Sequence, residues 1–369
     1  MKTRKVYLLK DDAFTGAQTK TIDINVVDPI SSIDIIVRMT NGAGMTEASV
    51  VKPHNEFTKI ELVDGSDVIE SCSMREWQSL NVAELFTLPA MELTLETSAV
   101  QCEQCSIHFG LGKNDPLHYF QPKNFKNPQL RITNTFTTAA ATSWAAAGHY
   151  ISVIANVIEE GALGAAGFLM AKEIYAHTAV DGAIETIDMP RDYPYRLIML
   201  EALKTANSPV LTIEKIKMTC DADKYIPYEI DSRDLMLENQ ARFGLLTQPV
   251  KKRLTGAGTI SVDLYHLIKA CVSQDTSLST VGLITCAGEV ITTEVIVGAA
   301  GVNALSAVEG VCYATAFGYS LHSALYLPFG RLDSPEDWFQ SNKYGDIKLK
   351  LTGESAVGAV KTVIQQLRS

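Results

Sequence analysis

Apolar and polar residues alternate in short runs along this chain. In "TIDINV" (21–26), Ile22, Ile24 and Val26 share one face and Thr21, Asp23 and Asn25 the other; "DIKLKL" (346–351) alternates likewise through Ile347, Leu349 and Leu351. A period of two predicts strands buried on one side only, the pattern of an antiparallel sandwich. Turn signals such as Asn41-Gly42, Asp64-Gly65 and Asp181-Gly182 separate the runs. Two stretches depart from this rhythm. "SMRE" (73–76) is a capping box, Ser73 at the N-cap and Glu76 three residues on, and "DSRD" (231–234) repeats it with Asp231 and Asp234. Each predicts a helix, the second ending at Gly244. Residues 159–182 read as a connector, partly helical at "FLMAKEIYA" (168–176).

The runs also repeat at domain scale. "DPLHYFQPKNFKNPQLRIT" (115–133) aligns without a gap on "SPEDWFQSNKYGDIKLKLT" (334–352), pairing Pro116 with Pro335, Phe120 with Phe339, Gln121 with Gln340 and Leu130 with Leu349. Phe125 and Tyr344 are a conservative exchange. Further matches keep the same order: "TIDI" (21–24) with "TIDM" (186–189), "KIEL" (59–62) with "KIKM" (215–218), Asn81 with Asn239, "CSIHFG" (105–110) with "LYLPFG" (325–330), and "SVIANV" (152–157) with "TVIQQL" (362–367). An ordered set of this kind predicts a duplicated domain. The expected architecture is all-β: two tandem eight-stranded sandwiches, each with a short helix. The halves divide as an N-terminal arm (1–18), a first sandwich (19–158), a linker (159–182) and a second sandwich (183–369). Between Asn239 and Phe329 the second half carries about 62 residues more than the first, a β-rich insertion within about 245–320.

Composition narrows the function classes. The 369 residues are 46% apolar with a net charge of −10, enough for a substantial core and a poor match to a phosphate-backbone binder. Seven cysteines, an odd and scattered set, do not form a disulfide framework, and a reduced site of synthesis is expected. The start "MKTRKVYLLK" is basic (Lys2, Arg4, Lys5, Lys10) and makes a poor signal peptide. Cys102, Cys105, His108 and His118 are the sharpest metal candidates, since Cys-x-x-Cys is half of many zinc sites. On a strand, however, Cys105 and His108 point to opposite faces, and their counterparts Leu325 and Pro328 cannot bind metal. "GYSLH" (318–322) lacks the last glycine of a nucleophile elbow, and no His-x-His of a cupin occurs among the isolated histidines. The expectation is no catalytic, cofactor or metal residues, with a metal-dependent double-cupin enzyme or a carbohydrate-binding double sandwich as alternatives.

The ordered repeat, and above all "LYLPFGRLDSPEDWFQSNKYGDIKLKLTGESAVGAVKTVIQQL" (325–367) and "YPYRLIMLEALKTANSPVLTIEKIKMTCDADKYIPYEI" (193–230), resembles the double jelly-roll major capsid proteins of tailless icosahedral bacteriophages and the adenovirus-hexon lineage. That resemblance implies a structural protein of the virion, assembled in the host cytoplasm, and no enzyme. It implies homotrimers that act as pseudo-hexagonal capsomers and contact neighbouring capsomers, penton and minor capsid proteins. An internal lipid membrane reached through the basic N-terminal arm is a further implied partner, with no direct nucleic-acid contact. The insertion is then expected to project outward as an ordered tower; the alternative is a flexible surface loop with "QDTSLST" (274–280) as its mobile tip.

Overall fold

The computed structural model describes residues 1–43, 51–112, 114–138, 143–205, 207–254, 258–274, 280–287, 290–296 and 310–369. Nine strands build the first half: β1 (Lys2–Ala13), β2 (Gln18–Asp23), β3 (Ile30–Thr40), β4 (Lys59–Asp64), β5 (Asp67–Cys72), β6 (Met91–Leu95), β7 (Val100–His108), β8 (Pro128–Asn134) and β9 (Tyr150–Glu160). A single turn α1 (Pro53–Glu56) and a helix α2 (Met74–Leu85) interrupt them. The second half opens with β10 (Phe168–Thr178), β11 (Ile184–Asp188), β12 (Tyr195–Leu203), β13 (Ile213–Cys220), β14 (Tyr225–Asp231) and helix α3 (Ser232–Phe243). The insertion follows as β15 (Leu246–Leu254), β16 (Gly258–Ser261), β17 (Leu264–Gln274), β18 (Thr280–Ala287), β19 (Val290–Ile296) and β20 (Gly310–Leu321). The chain then closes with β21 (Ala324–Pro328), β22 (Ile347–Gly353) and β23 (Ala359–Arg368).

Strand order makes the duplication explicit. One wall of the first roll runs β1-β9-β3-β7 and the other β2-β8-β4-β5; the second roll runs β10-β23-β12-β21 and β11-β22-β13-β14. Replacing each strand by its sequence counterpart turns one pair of walls into the other. Each wall is antiparallel within its roll, and two parallel contacts join the halves. Lys172 of β10 pairs with Ser71 of β5, which fuses β2-β8-β4-β5 and β10-β23-β12-β21 into one sheet of eight strands. Val250 of β15 pairs with Leu93 of β6, which extends the β1 wall into β15-β20-β17 of the insertion. The alternation read from the sequence holds where one face meets solvent: in β22, Ile347, Leu349 and Leu351 are buried and Lys348 and Lys350 half-exposed. It fails in β12, "YRLIMLEAL", which is buried on both faces save at Leu203. Its Ile198 and Leu200 enter the second roll's core, while Leu197 and Met199 enter the first roll's. A strand covered on both sides reads as a continuous apolar run for that reason.

Three expectations are corrected. Residues 2–13 are not an arm outside the first roll: Val6, Leu8 and Leu9 pack against its core and β1 pairs with β9. The linker expected over 159–182 holds strand β10, whose partner β23 it follows from Phe168↔Arg368 to Thr178↔Ala359. "FLMAKEIYA" is a short apolar run whose period leaves helix and strand open, and the sheet edge offered by β23 decides it. The two predicted caps also differ. Ser73 and Glu76 close a full capping box, whereas Asp231 occupies the N-cap of α3 without a side-chain hydrogen bond. Gly244 ends α3 at φ +77, as expected.

Candidate functional site

The matched stretches build the same corner twice. In the first roll Ile30 N–H donates to Phe120 O (2.8 Å) and Phe120 N–H to Ile30 O (2.9 Å); in the second, Tyr195 and Phe339 exchange the same two bonds at 2.9 and 3.2 Å. The rings pack in the same sequence in both rolls, all stacked except the tilted Phe329–Phe339 pair. Phe120 lies 5.1 Å from Phe109 and 4.7 Å from Phe125, and Phe339 lies 5.2 Å from Phe329 and 5.3 Å from Tyr344. The glycine after each leading Phe admits no side chain: a Cβ at Gly110 would stand 2.9 Å from His118 O, and at Gly330 2.6 Å from Asp337 O. Asn81 and Asn239 also repeat. Asn81 clamps the backbone of Ser106, donating to its oxygen at 2.7 Å and accepting from its N–H at 2.8 Å; Asn239 clamps Tyr326 at 2.8 and 2.7 Å. Ser106 and Tyr326 occupy the same place in the repeat. Each amide therefore satisfies backbone groups that a neighbouring strand leaves open.

Helix α2 carries polar side chains into the seam between the rolls. Arg75 meets Glu201 of β12 at 2.9 Å, Glu76 meets Lys361 of β23 at 3.0 Å, and Glu84 accepts from Gln365 at 2.6 Å. Lys361 also reaches Glu173 of β10 at 2.8 Å. Glu76 is pushed up to about 8, first by burial and then by the Glu201 charge, while Glu173 is held down by hydrogen bonds from Glu76 and Lys361 that outweigh its own burial. The two carboxyls meet one ammonium, and Glu76, the more deeply buried, is the harder to ionise. Burial would raise Glu84, but His108 at 2.7 Å and Arg196 hold it down. Glu70, fully buried on β5 with no hydrogen-bond partner on either oxygen, is raised well above a normal carboxyl by burial and by Glu84.

A second network joins the first roll to the insertion. Lys52, His54, Gln78 and Glu103 come from the first roll, and Gln248, Asp263 and His322 from the insertion; all seven are buried. His54 Nδ1 lies 2.9 Å from Glu103 and its Nε2 3.4 Å from Asp263. Lys52 Nζ bonds Asp263 Oδ1, whose partner oxygen accepts from Gln248 at 2.8 Å. Gln78 donates to Glu103 at 3.2 Å and accepts from His322 Nε2 at 2.7 Å.

The zinc candidates are dispersed. Cys105 is buried on the core face of β7, Cys102 and His108 lie on the other face, and His108 faces Glu84 while His118 faces Asp115 at 2.7 Å. Burial raises the thiols of Cys102 and Cys105. The seven-residue network was missed because its histidines look isolated in sequence. Ser320, in the failed elbow motif, is buried and donates to Ala324 O at 2.8 Å.

No protein-family model matches this sequence, and no curated protein matches it either. Solved structures do. The major capsid protein of STIV (Sulfolobus turreted icosahedral virus) superposes with a TM-score of 0.64 at 11% identity, covering 100% of this chain and 97% of that one. The PBCV-1 virus capsid gives 0.56 at 9% identity, over 99% and 93% of the two chains. Major capsid protein P2 of bacteriophage PM2 gives 0.52 at 9%, over 100% and 98%. The chain has the double jelly-roll fold of these capsid proteins along its whole length.

Proposed function

We propose that this chain is a major capsid protein that self-assembles into trimeric, pseudo-hexagonal capsomers of an icosahedral shell. The supporting observation is the match of both rolls, end to end, to viral capsid proteins, together with the repeated strand order. A subunit of two equivalent rolls, arranged threefold, presents six similar lobes, and such a block tiles a facet with near-equivalent contacts. On this reading the first roll ends with β9 and the second begins with β10, and the insertion within 245–320 forms an outward tower. Residues 275–279 of "QDTSLST", the mobile tip on the flexible-loop alternative, lie outside the described residues. The role is structural and the site of action the virion, with penton and minor capsid proteins as further partners. A basic N-terminal contact to lipid is less well supported than the sequence suggested, because Lys2 meets Glu159 and Arg4 meets Asp28 on this same molecule. Native mass spectrometry tests the reading. Chains of 40.2 kDa should appear as a species of about 120 kDa at micromolar concentration, and a stable monomer or dimer would count against it.

A further inference from the structure

The strained corner at His322 sits at the centre of the network that ties the first roll to the insertion. His322 and Ser323 carry the chain from β20 to β21, that is, from one eight-stranded sheet to the other, with φ of +50 and +62. Neither is a glycine, so the surroundings must hold this conformation in place. They do so through buried bonds. His322 N–H donates to Asp263 O at 2.8 Å, Ser323 Oγ–H donates to Ala202 O, and Ala202 N–H donates to Ser323 O at 3.0 Å.

The network also places one proton of His322. Glu103 accepts from the His54 backbone N–H at 3.1 Å, so its carboxylate faces donors only. The Gln78 amide must then turn its NH2 to Glu103 and its oxygen to His322, which places a proton on His322 Nε2. A second proton would go to Nδ1. Lys52, His54 and Arg75 oppose it, with the His54 ring centroid 4.4 Å away, and the acids of the neighbourhood, Asp263, Glu103 and Glu201, are already engaged with Lys52, His54 and Arg75 respectively. His54, Asp263 and His322 offer atoms within 4.8 Å of one another, close enough to hold a cation, but the Lys52 ammonium already sits on the Asp263 oxygen.

We propose that the Lys52–Asp263–His54–Glu103–Gln78–His322 network is an acid-released lock between the first roll and the base of the insertion. Its trigger is protonation of His322, and its moving part is the 322–323 corner. Burial, then His54, Arg75 and Lys52, hold His322 well below its ordinary value of 6.5. The sign follows. Above about pH 6.5 both closed and open forms carry a neutral His322 and the lock is fully stable. Below it the open form binds a proton more readily than the closed form does, so closure weakens as pH falls. Asp263, held down by Lys52 and His54 against its burial, adds its own loss only in the lower range where carboxylates titrate.

Amide hydrogen exchange on the full chain at pH 7.5 and pH 5.0, corrected for intrinsic rates, tests this. Segments 51–57, 246–254 and 314–323 should open at least about tenfold more readily at pH 5.0, while β8 and β22 hold their protection. Burial also lowers His149, His177 and His266, so acid weakens other places; His322→Asn, chosen because Asn tolerates positive φ, isolates the lock. That variant should lose the pH dependence in those three segments alone. His322→Gln serves the same purpose if the Asn variant does not fold. Equal protection of the three segments at both pH values in the wild type would overturn the proposal, as would an unchanged pH response in a folded His322 variant.

Discussion

Asn81 and Asn239 stand at matching positions because a strand edge must find partners for its backbone, and a carboxamide supplies one donor and one acceptor at the right spacing. Such residues were legible as a repeat, since shape and hydrogen bonding limit what can replace them. Glu103, Gln78 and Asp263 were not. They lie far apart in sequence, and a polar residue in a strand, as Glu103 is in β7, ordinarily marks a solvent face. Glu76 shows how far burial can shift such a residue. Its folded value of about 8 lies above the ordinary 4.5, so its contribution to stability is full below 4.5 and is lost as pH rises toward 8. Glu76→Gln keeps the capping box, because Gln also serves at that position, and it removes the titrating group. The variant should lose less stability than wild type between pH 5 and pH 9, by about 1 kcal/mol or more, in denaturant titrations at the two pH values. Parallel pH profiles would mean that Glu76 is ionised throughout.

Elements were read best where their ends carry their own chemistry. Helices α2 and α3 were expected from their caps, and both exist, yet only Ser73 makes the bond that a cap implies. Ser73→Ala should therefore cost about 1 kcal/mol and Asp231→Ala much less, measured by chemical denaturation of each variant. Equal losses would mean that Asp231 acts through its charge at the helix N-terminus rather than through a hydrogen bond. Strand β10 was misread for the complementary reason. Nothing inside "FLMAKEIYA" specifies a strand, and its conformation is imposed by β23 on one side and by β5 on the other. Strand β1 was hidden by its charges: Lys2 and Arg4 suggested a solvated arm, while Glu159, Glu160 and Asp28 supply their partners at the sheet edge.

At the scale of the molecule, the rolls are less independent than their sequences suggest. Leu197 and Met199 of β12, Val363 of β23 and Tyr326 of β21 belong to the second roll's wall but pack into the first roll's core. The same strands send Ile198, Leu200, Ile364 and Leu325 the other way. Pulling the rolls apart would expose the first set to water and strip Arg75, Glu76, Glu84, Glu201 and Lys361 of their partners across the seam. Breaking one side of a buried charged pair costs about 3–5 kcal/mol, so a half-unfolded molecule is penalised on both counts. A sequence duplication alone predicts two domains that melt separately. The seam predicts the opposite: one transition in differential scanning calorimetry, with near-UV signals from both rolls lost together, at a midpoint that rises with protein concentration if trimers form. Trp77 and Trp144 report on the first roll and Trp338 on the second, so single-tryptophan variants can follow each half. Two resolved transitions, each assigned to one set of tryptophans, would show that the shared strands do not couple the rolls.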